Sequence, residues 1–304
     1  MITIRDLRKR FRGHDALRGV DLDIPQGKVT AFLGPNGAGK TTTIKCAMNL
    51  IDRDYGRLEV MGVDATKLGP EQWRRIGYVS ENRQLPEWLT VPKLLDYVRP
   101  MYGMYWDRDF EKKLLASFDL PLKTRLSSLS RGQKMKAALL SSLAYRPQLV
   151  VLDEPFSGLD PLVRDEFLTG LLELTETEGW TVWISSHDIE EVERFADRVA
   201  ILHDGMLDLQ EDVETLQGRF RQVDLWFDGE AALPAAELSA DWLNVQVAGR
   251  AIRFVESYYV EGSSLAAYAA AFPAGRVQEV RPLTLREIFV TLARSYRAKS
   301  SQPV

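Results

Sequence analysis

Residues 29–42 read Val-Thr-Ala-Phe-Leu-Gly-Pro-Asn-Gly-Ala-Gly-Lys-Thr-Thr, an apolar run that stops at a glycine-rich turn and continues into a helix-compatible stretch. Val29–Leu33 has no polar alternation, which suits a parallel strand covered on both faces. The turn after it matches G-x-x-x-x-G-K-[ST], with the strand before and the helix after that this phosphate-cradling pattern requires. Gly34, Gly37 and Gly39, with Pro35, Asn36 and Ala38 between them, keep side chains out of the way while backbone N–H groups curl around phosphate oxygens. The helix opening near Lys40 points its positive end at the same anions. Lys40 is spaced to reach the β- and γ-phosphates, and the Thr41 hydroxyl, followed by Thr42, to ligate Mg²⁺. A ligand-free strand–helix turn would not need three glycines, a lysine and two threonines at this spacing.

The rest of the chain agrees with an α/β fold around a mostly parallel sheet. Leu149–Leu152, Thr181–Ile184 and Val199–Leu202 are also nearly continuous apolar runs, whereas Ile2, Ile4 and Val20, Leu22, Ile24 alternate like half-buried strands. Helical stretches are predicted over 40–50, 92–101, 109–118, 131–145, 162–178 and 189–196. After Gly218 the pattern changes to short strands (222–227, 245–247, 252–255, 277–280), an Ala-rich segment over 264–272 and a final helix over 283–297. A domain boundary is therefore expected near 218, with 219–304 a small accessory α+β domain and only the polar tail from Lys299 to Val304 disordered.

Composition removes several classes. At 304 residues, 45% hydrophobic and 27% charged, the chain is an ordinary globular protein, not a disordered, collagenous or disulfide-built one. A single cysteine, Cys46, suits a reducing compartment and reads as packing, since it is not at its helix's N-terminus. No apolar run approaches the ~20 residues of a membrane span, and the N-terminus lacks the apolar stretch of a secretory signal. With a net charge of −4 the chain has no basic surplus for nucleic acid.

Leu149-Val-Val-Leu-Asp-Glu154 is a buried strand that ends in two carboxylates. Beside a phosphate loop, Asp153 fits a role holding Mg²⁺ through water, and Glu154 a role as general base on the attacking water. A helix N-cap pair before Pro155 is the alternative.

At this point the chain resembles a family. Leu129-Ser-Arg-Gly-Gln133 precedes the Asp-Glu pair by about twenty residues, Ser157-Gly-Leu-Asp160 follows it, and His187 lies beyond the next strand. This is the order of motifs in the ATP-binding cassette (ABC) ATPases, and the resemblance covers residues 1 to about 218. It implies a P-loop core with an antiparallel β subdomain and a helical subdomain over about 82–130. It further implies that Ser130, Arg131, Gly132 and Gln133 bind the ATP held by a partner subunit's P-loop. Asp160 would communicate between the two sites, and His187 would contact the γ-phosphate. Ser130 and Gly132 stand at a helix start, where a hydroxyl and N–H groups can face an anion. Phe11 stands at the right distance before the loop to stack on adenine; a buried aromatic under the first strands is the other reading.

Two positions depart from the family pattern. Ser80-Glu81-Asn82 puts Glu81 where the family usually has a metal-contacting glutamine, still a hard oxygen ligand. Arg131 replaces the usual glycine in the signature segment. The aromatics Trp88, Tyr97, Tyr102, Tyr105, Trp106 and Phe110 read either as core packing or as part of a groove for a membrane partner.

The resemblance thus implies an ATPase working with ATP and Mg²⁺ as a homodimer, peripheral on the cytoplasmic face of the membrane and powering a separate permease. Pro282-Leu-Thr-Leu-Arg-Glu-Ile-Phe-Val290 resembles the closing helix of export cassettes, so export is expected. A soluble cassette of the translation or DNA-repair type is the alternative; it would bring a second cassette or a long coiled coil. A P-loop kinase or GTPase would leave the signature segment unexplained and lacks a guanine-recognition motif.

Overall fold

The computed structural model describes residues 1–81, 84–234 and 238–300. The chain divides into two compact units, Met1–Gln210 and Glu211–Val304. The division falls a few residues before the expected 218, inside a strand that ends the first unit's sheet.

In the first unit, β1 (Ile2–Phe11) and β2 (His14–Ile24) form an antiparallel hairpin, followed by β3 (Val29–Leu33) and α1 (Lys40–Ala47). Next come β4 (Tyr55–Val60), β5 (Val63–Asp64), the short α2 (Pro70–Trp73) and β6 (Ile76–Ser80). Three helices follow, α3 (Val91–Tyr102), α4 (Arg108–Phe118) and α5 (Arg131–Leu143). The unit closes with β7 (Leu149–Asp153), α6 (Pro161–Glu178), β8 (Thr181–Ser186), β9 (Arg198–His203) and β10 (Met206–Asp212). Two sheets result. One has the order β2-β1-β4-β5 and is antiparallel; the other runs β10-β9-β3-β8-β7-β6, and its pairs β9–β3, β3–β8, β8–β7 and β7–β6 are parallel.

The two strand patterns explain the two sheets. β1, β2 and β4 alternate buried and open residues, so only one face is covered. Every residue of β3, β7 and β8 is buried, as expected for strands packed on both faces. The main core lies where the sheets meet α1: Ile2, Ile4 and Leu22 pack with Ile44, Phe32, Val151 and Trp183. Cys46 belongs to this core, in line with its packing role.

The aromatics of 88–110 divide. Trp106 and Phe110 are buried, and Tyr102 stacks on Tyr145 with ring centroids 3.8 Å apart. Trp88, Tyr97 and Tyr105 are exposed. One expected helix is absent: within 189–196 only the single 3-10 turn Ile189–Glu191 forms. Glu191 is buried there and hydrogen-bonded to Ser186, and Asp197 is held by the main chain of Val29, which turns the chain into β9 before a helix can propagate.

The second unit has α7 (Val213–Arg219), β11 (Arg221–Phe227), β12 (Trp242–Ala248), β13 (Ala251–Glu256), α8 (Ser263–Ala271), β14 (Gly275–Pro282) and α9 (Leu285–Ser300). Its sheet has the order β12-β13-β11-β14 and is antiparallel throughout. Trp242, Phe254, Tyr268 and Phe272 form its core. The last helix runs through Lys299 and Ser300, two residues expected to be disordered; residues 301–304, like Asn82, lie outside the described residues.

Candidate functional site

Because β3, β6, β7 and β8 run parallel, their C-terminal ends share one edge of the sheet. Ligands of such sheets bind outside those ends. Four motifs far apart in sequence are thereby delivered to one place. The loop after β3 carries Gly34–Lys40, β7 ends at Asp153-Glu154, β8 leads into His187, and β6 leads into Glu81.

The loop after β3 is held by its own backbone. Ala38 N–H donates to Pro35 O at 3.1 Å, and the buried Lys40 ammonium donates to Gly34 O at 2.6 Å and Pro35 O at 3.3 Å. Gly39 has φ of +107°, and a Cβ there would lie 2.7 Å from Leu17 Cδ2 and 2.8 Å from Ala16 O. Only glycine satisfies both the backbone and the space. Pro35, Asn36 and Gly37 are exposed at the rim, while Gly34 and Ala38 are buried beneath it. An exposed backbone turn over a buried ammonium suits a chain of phosphates.

Beside it, Thr41 Oγ1 donates to Asp153 Oδ1 at 3.0 Å, and Ser185 Oγ donates to the same oxygen at 2.8 Å. Burial raises the Asp153 carboxyl above the usual range, and these two hydroxyls partly offset that by bonding the charged form. Ser185 also accepts a bond from Glu154 N–H at 2.9 Å. No role for Ser185 follows from the sequence, since a serine at a strand end is commonplace; its register opposite Asp153 is what gives it one. A hydroxyl and a carboxylate within hydrogen-bond reach are the hard-oxygen donors that Mg²⁺ takes when phosphates and water complete its shell. Among the described residues there is no cluster of three or more His, Cys, Asp or Glu side chains able to hold a metal by themselves.

Glu154 lies between two cations or potential cations. Its Oε2 is 2.7 Å from His187 Nδ1, and its Oε1 is 3.1 Å from Lys40 Nζ. The residue is buried, whereas the His187 side chain is 43% exposed, so the carboxylate is anchored below and the imidazole faces out. Glu154 has φ of +51°, a left-handed conformation uncommon for a residue with a Cβ. Such outliers persist where surrounding contacts hold them, and here the bond from Glu154 N–H to Ser185 Oγ and the contact with His187 do so.

The signature segment lies at the start of α5. Ser130 is the N-cap: its Oγ accepts from Gln133 N–H at 3.2 Å, and Gln133 Oε1 accepts from Ser130 N–H at 3.0 Å. This capping box leaves the serine's own hydrogen free to donate outward. A Cβ on Gly132 would lie 2.6 Å from Val163 Cγ1, so glycine there lets α5 and α6 approach. Asp160 caps α6, accepting from Val163 N–H at 3.0 Å, with Pro161 at the favoured first helical position.

Glu81 and Phe11 lie outside this cluster of contacts. The Glu81 carboxylate contacts Ser157 Oγ at 2.6 Å and Arg131 Nη2 at 3.2 Å, while the Thr41 hydroxyl goes to Asp153. Phe11 ends β1 and is 43% exposed, with Lys9 Nζ 5.3 Å from its ring centroid. The buried-aromatic reading of Phe11 is therefore wrong, because the residue closes the β1–β2 hairpin, where the sheet leaves its ring open to solvent.

Comparison with known proteins gives the family. The family model described as "ABC transporter" matches residues 17–157. The ABC transporter ATP-binding protein YtrB of Bacillus subtilis is 29% identical over 244 residues, which span 80% of this chain and 83% of that protein. The phosphonates import ATP-binding protein PhnC 2 of a Synechococcus strain is 31% identical over 222 residues, 67% of this chain and 82% of that protein. A solved structure of an ATP-binding subunit of an ABC transporter superposes with a TM-score of 0.64 at 27% identity, covering 72% of this chain and 92% of that one. A phosphate loop, a capped signature helix and a paired acidic strand end come in this order, and with relatives matched over four fifths of their own length the chain belongs to the family of ABC transporter ATP-binding subunits.

Proposed function

We propose that this chain hydrolyses ATP as a head-to-tail homodimer, and that the cycle of closing and opening drives a separate membrane permease in export. The observation that carries the reading is the contact chain Lys40–Glu154–His187 next to Thr41–Asp153–Ser185, all at one sheet edge. Gly34, Pro35, Asn36, Gly37, Ala38, Gly39, Lys40, Thr41 and Thr42 would cradle the phosphates, and Phe11 would stack on the base. Mg²⁺ held at Thr41 and Asp153 would spread the charge of the phosphate oxygens. Glu154 takes a proton from the attacking water, and its anchoring by His187 and Lys40 fixes the carboxylate before the substrate arrives. Ser130, Gly132 and Gln133 of one subunit then face the nucleotide on the partner's loop, with Asp160 at the seam.

No helix among the described residues is long and apolar enough to cross a membrane, so on this reading the permease is another polypeptide and this chain is peripheral to it. The exposed Trp88, Tyr97 and Tyr105 suit that contact. Export, as against uptake, rests on the likeness of 282–290 to the closing helix of export cassettes. Reconstitution with its permease tests the direction: cargo should leave the side that holds this subunit, and movement toward it would overturn export.

The central test is Glu154→Gln. Turnover should fall by at least ~100-fold while ATP binding survives, and ATP-bound dimer should accumulate on a sizing column. Turnover near the wild-type rate would remove Glu154 from the base role.

A further inference from the structure

The two departures in sequence, Glu81 and Arg131, meet in space. Arg131 Nη2 is 3.2 Å from Glu81 Oε1 and 3.4 Å from Ser157 Oγ, while Ser157 Oγ donates to that same Glu81 oxygen at 2.6 Å. The guanidinium lies against Gly158, where φ is +69° and a Cβ would be 2.3 Å from Arg131 Nη1. Three segments converge here: the turn after β6, the first turn of α5, and the loop that follows Asp153-Glu154. A second pair, Lys134 Nζ to Glu87 Oε1 at 3.0 Å, joins the first two again, and Ser127 N–H donates to Glu87 O at 3.0 Å.

The electrostatics of a helix end explain why these charges occur together. Arg131 is the first residue of α5, where a cation opposes the positive end of the helix dipole. The Glu81 carboxylate brings an anion to that end. It serves the guanidinium, the Ser157 hydroxyl and the dipole together.

Building on the ATPase reading above, we propose that Glu81 and Arg131 are positioning residues rather than metal and nucleotide contacts. They form a charge tie that sets the Ser130–Gln133 turn relative to the Asp153–Glu154 strand end. The Arg131 side chain is 54% exposed and that of Glu81 35%, so the tie adds little to global stability. Its effect lies in where the signature turn is held.

The experiment is a double-substitution cycle on the full chain, with two readouts. In steady-state ATPase assays, Glu81→Ala and Arg131→Ala should each lower kcat by about 3- to 10-fold with little change in KM for ATP. The double variant should be no worse than either single one. Arg131→Lys and the reversal Glu81→Arg with Arg131→Glu should restore most of the rate, and half-saturating Mg²⁺ should not move. In hydrogen exchange on the nucleotide- and metal-free protein, amides of the first turn of α5 should exchange faster in both single variants, and no faster in the double. That second readout holds whether or not the chain proves to be an ATPase, and Glu154→Gln judges the ATPase reading separately. Additive losses, unchanged exchange, or a roughly tenfold higher Mg²⁺ requirement confined to Glu81→Ala would overturn the tie, the last by making Glu81 a metal ligand.

Discussion

Asp153 receives two hydroxyl donors on one oxygen, from Thr41 and Ser185, at a position that is only 2% exposed. A carboxylate that deep is costly unless its charged form is bonded, so the hydroxyls belong to the site as much as the acid does. Thr41 is legible in sequence because the loop pattern demands a hydroxyl there; Ser185 is not, because its partner lies 32 residues away. Cys46 is legible as Thr41 is, since its place inside α1 rather than at its start marks it as packing. Burial pushes its thiol up to about 11, and it packs in the core of the first unit. Thiolate is the reactive form, so the native protein should label with a thiol reagent at pH 8 at least ~100-fold more slowly than a free thiol, and fully in denaturant. Rapid labelling of the native chain would contradict that packing.

At the scale of elements, the helix starts follow local rules. Asp107 caps α4, Ser130 with Gln133 caps α5, Asp160 caps α6, and each cap is visible as a residue type just before an apolar run. The missing helix at 189–196 shows the limit of those rules, since a buried Glu191 and the pull of β9 outweigh a periodic pattern. α9 offers a test in the second unit. Thr284 and Glu287 form a capping box, and Arg281 bonds the same carboxylate at 2.8 Å. Chiefly through Arg281, the Glu287 carboxyl is lowered to about 2. A depressed carboxyl contributes stability above its ordinary value and loses it as pH falls through the folded one. Glu287→Gln keeps the cap but not the charge, so it should cost up to ~1 kcal/mol at pH 7, the pair being partly exposed. In urea titrations that difference should shrink between the carboxyl's ordinary value of 4.5 and about 2. A gap that is constant with pH would assign the effect to packing.

For the whole molecule, the proposed head-to-tail dimer makes each site from two chains, and subunit mixing tests this. Lys40→Ala removes the phosphate lysine; Ser130→Arg blocks the signature turn and also forfeits a cap of about 1 kcal/mol. Each variant alone should be inactive. Mixed in equal amounts, they should recover about a quarter of the wild-type rate, since half the C₂ dimers would hold one intact composite site. No recovery on mixing would argue for sites complete within one chain.

By itself the sequence determined whatever local geometry can encode: the glycine turn after β3, the doubly buried strands, the helix caps, and the order of motifs that identifies the family. It could not determine which strands become neighbours. Parallel strands pair through backbone bonds that carry no side-chain signature, so the order β10-β9-β3-β8-β7-β6 belongs to the tertiary structure. That order sets Thr41 against Asp153 across 112 residues, and folding beyond it sets Glu81 against Arg131 across 50. The chemistry of each residue is its own, but its partner is chosen by the packing of the sheet and of the helices beside it.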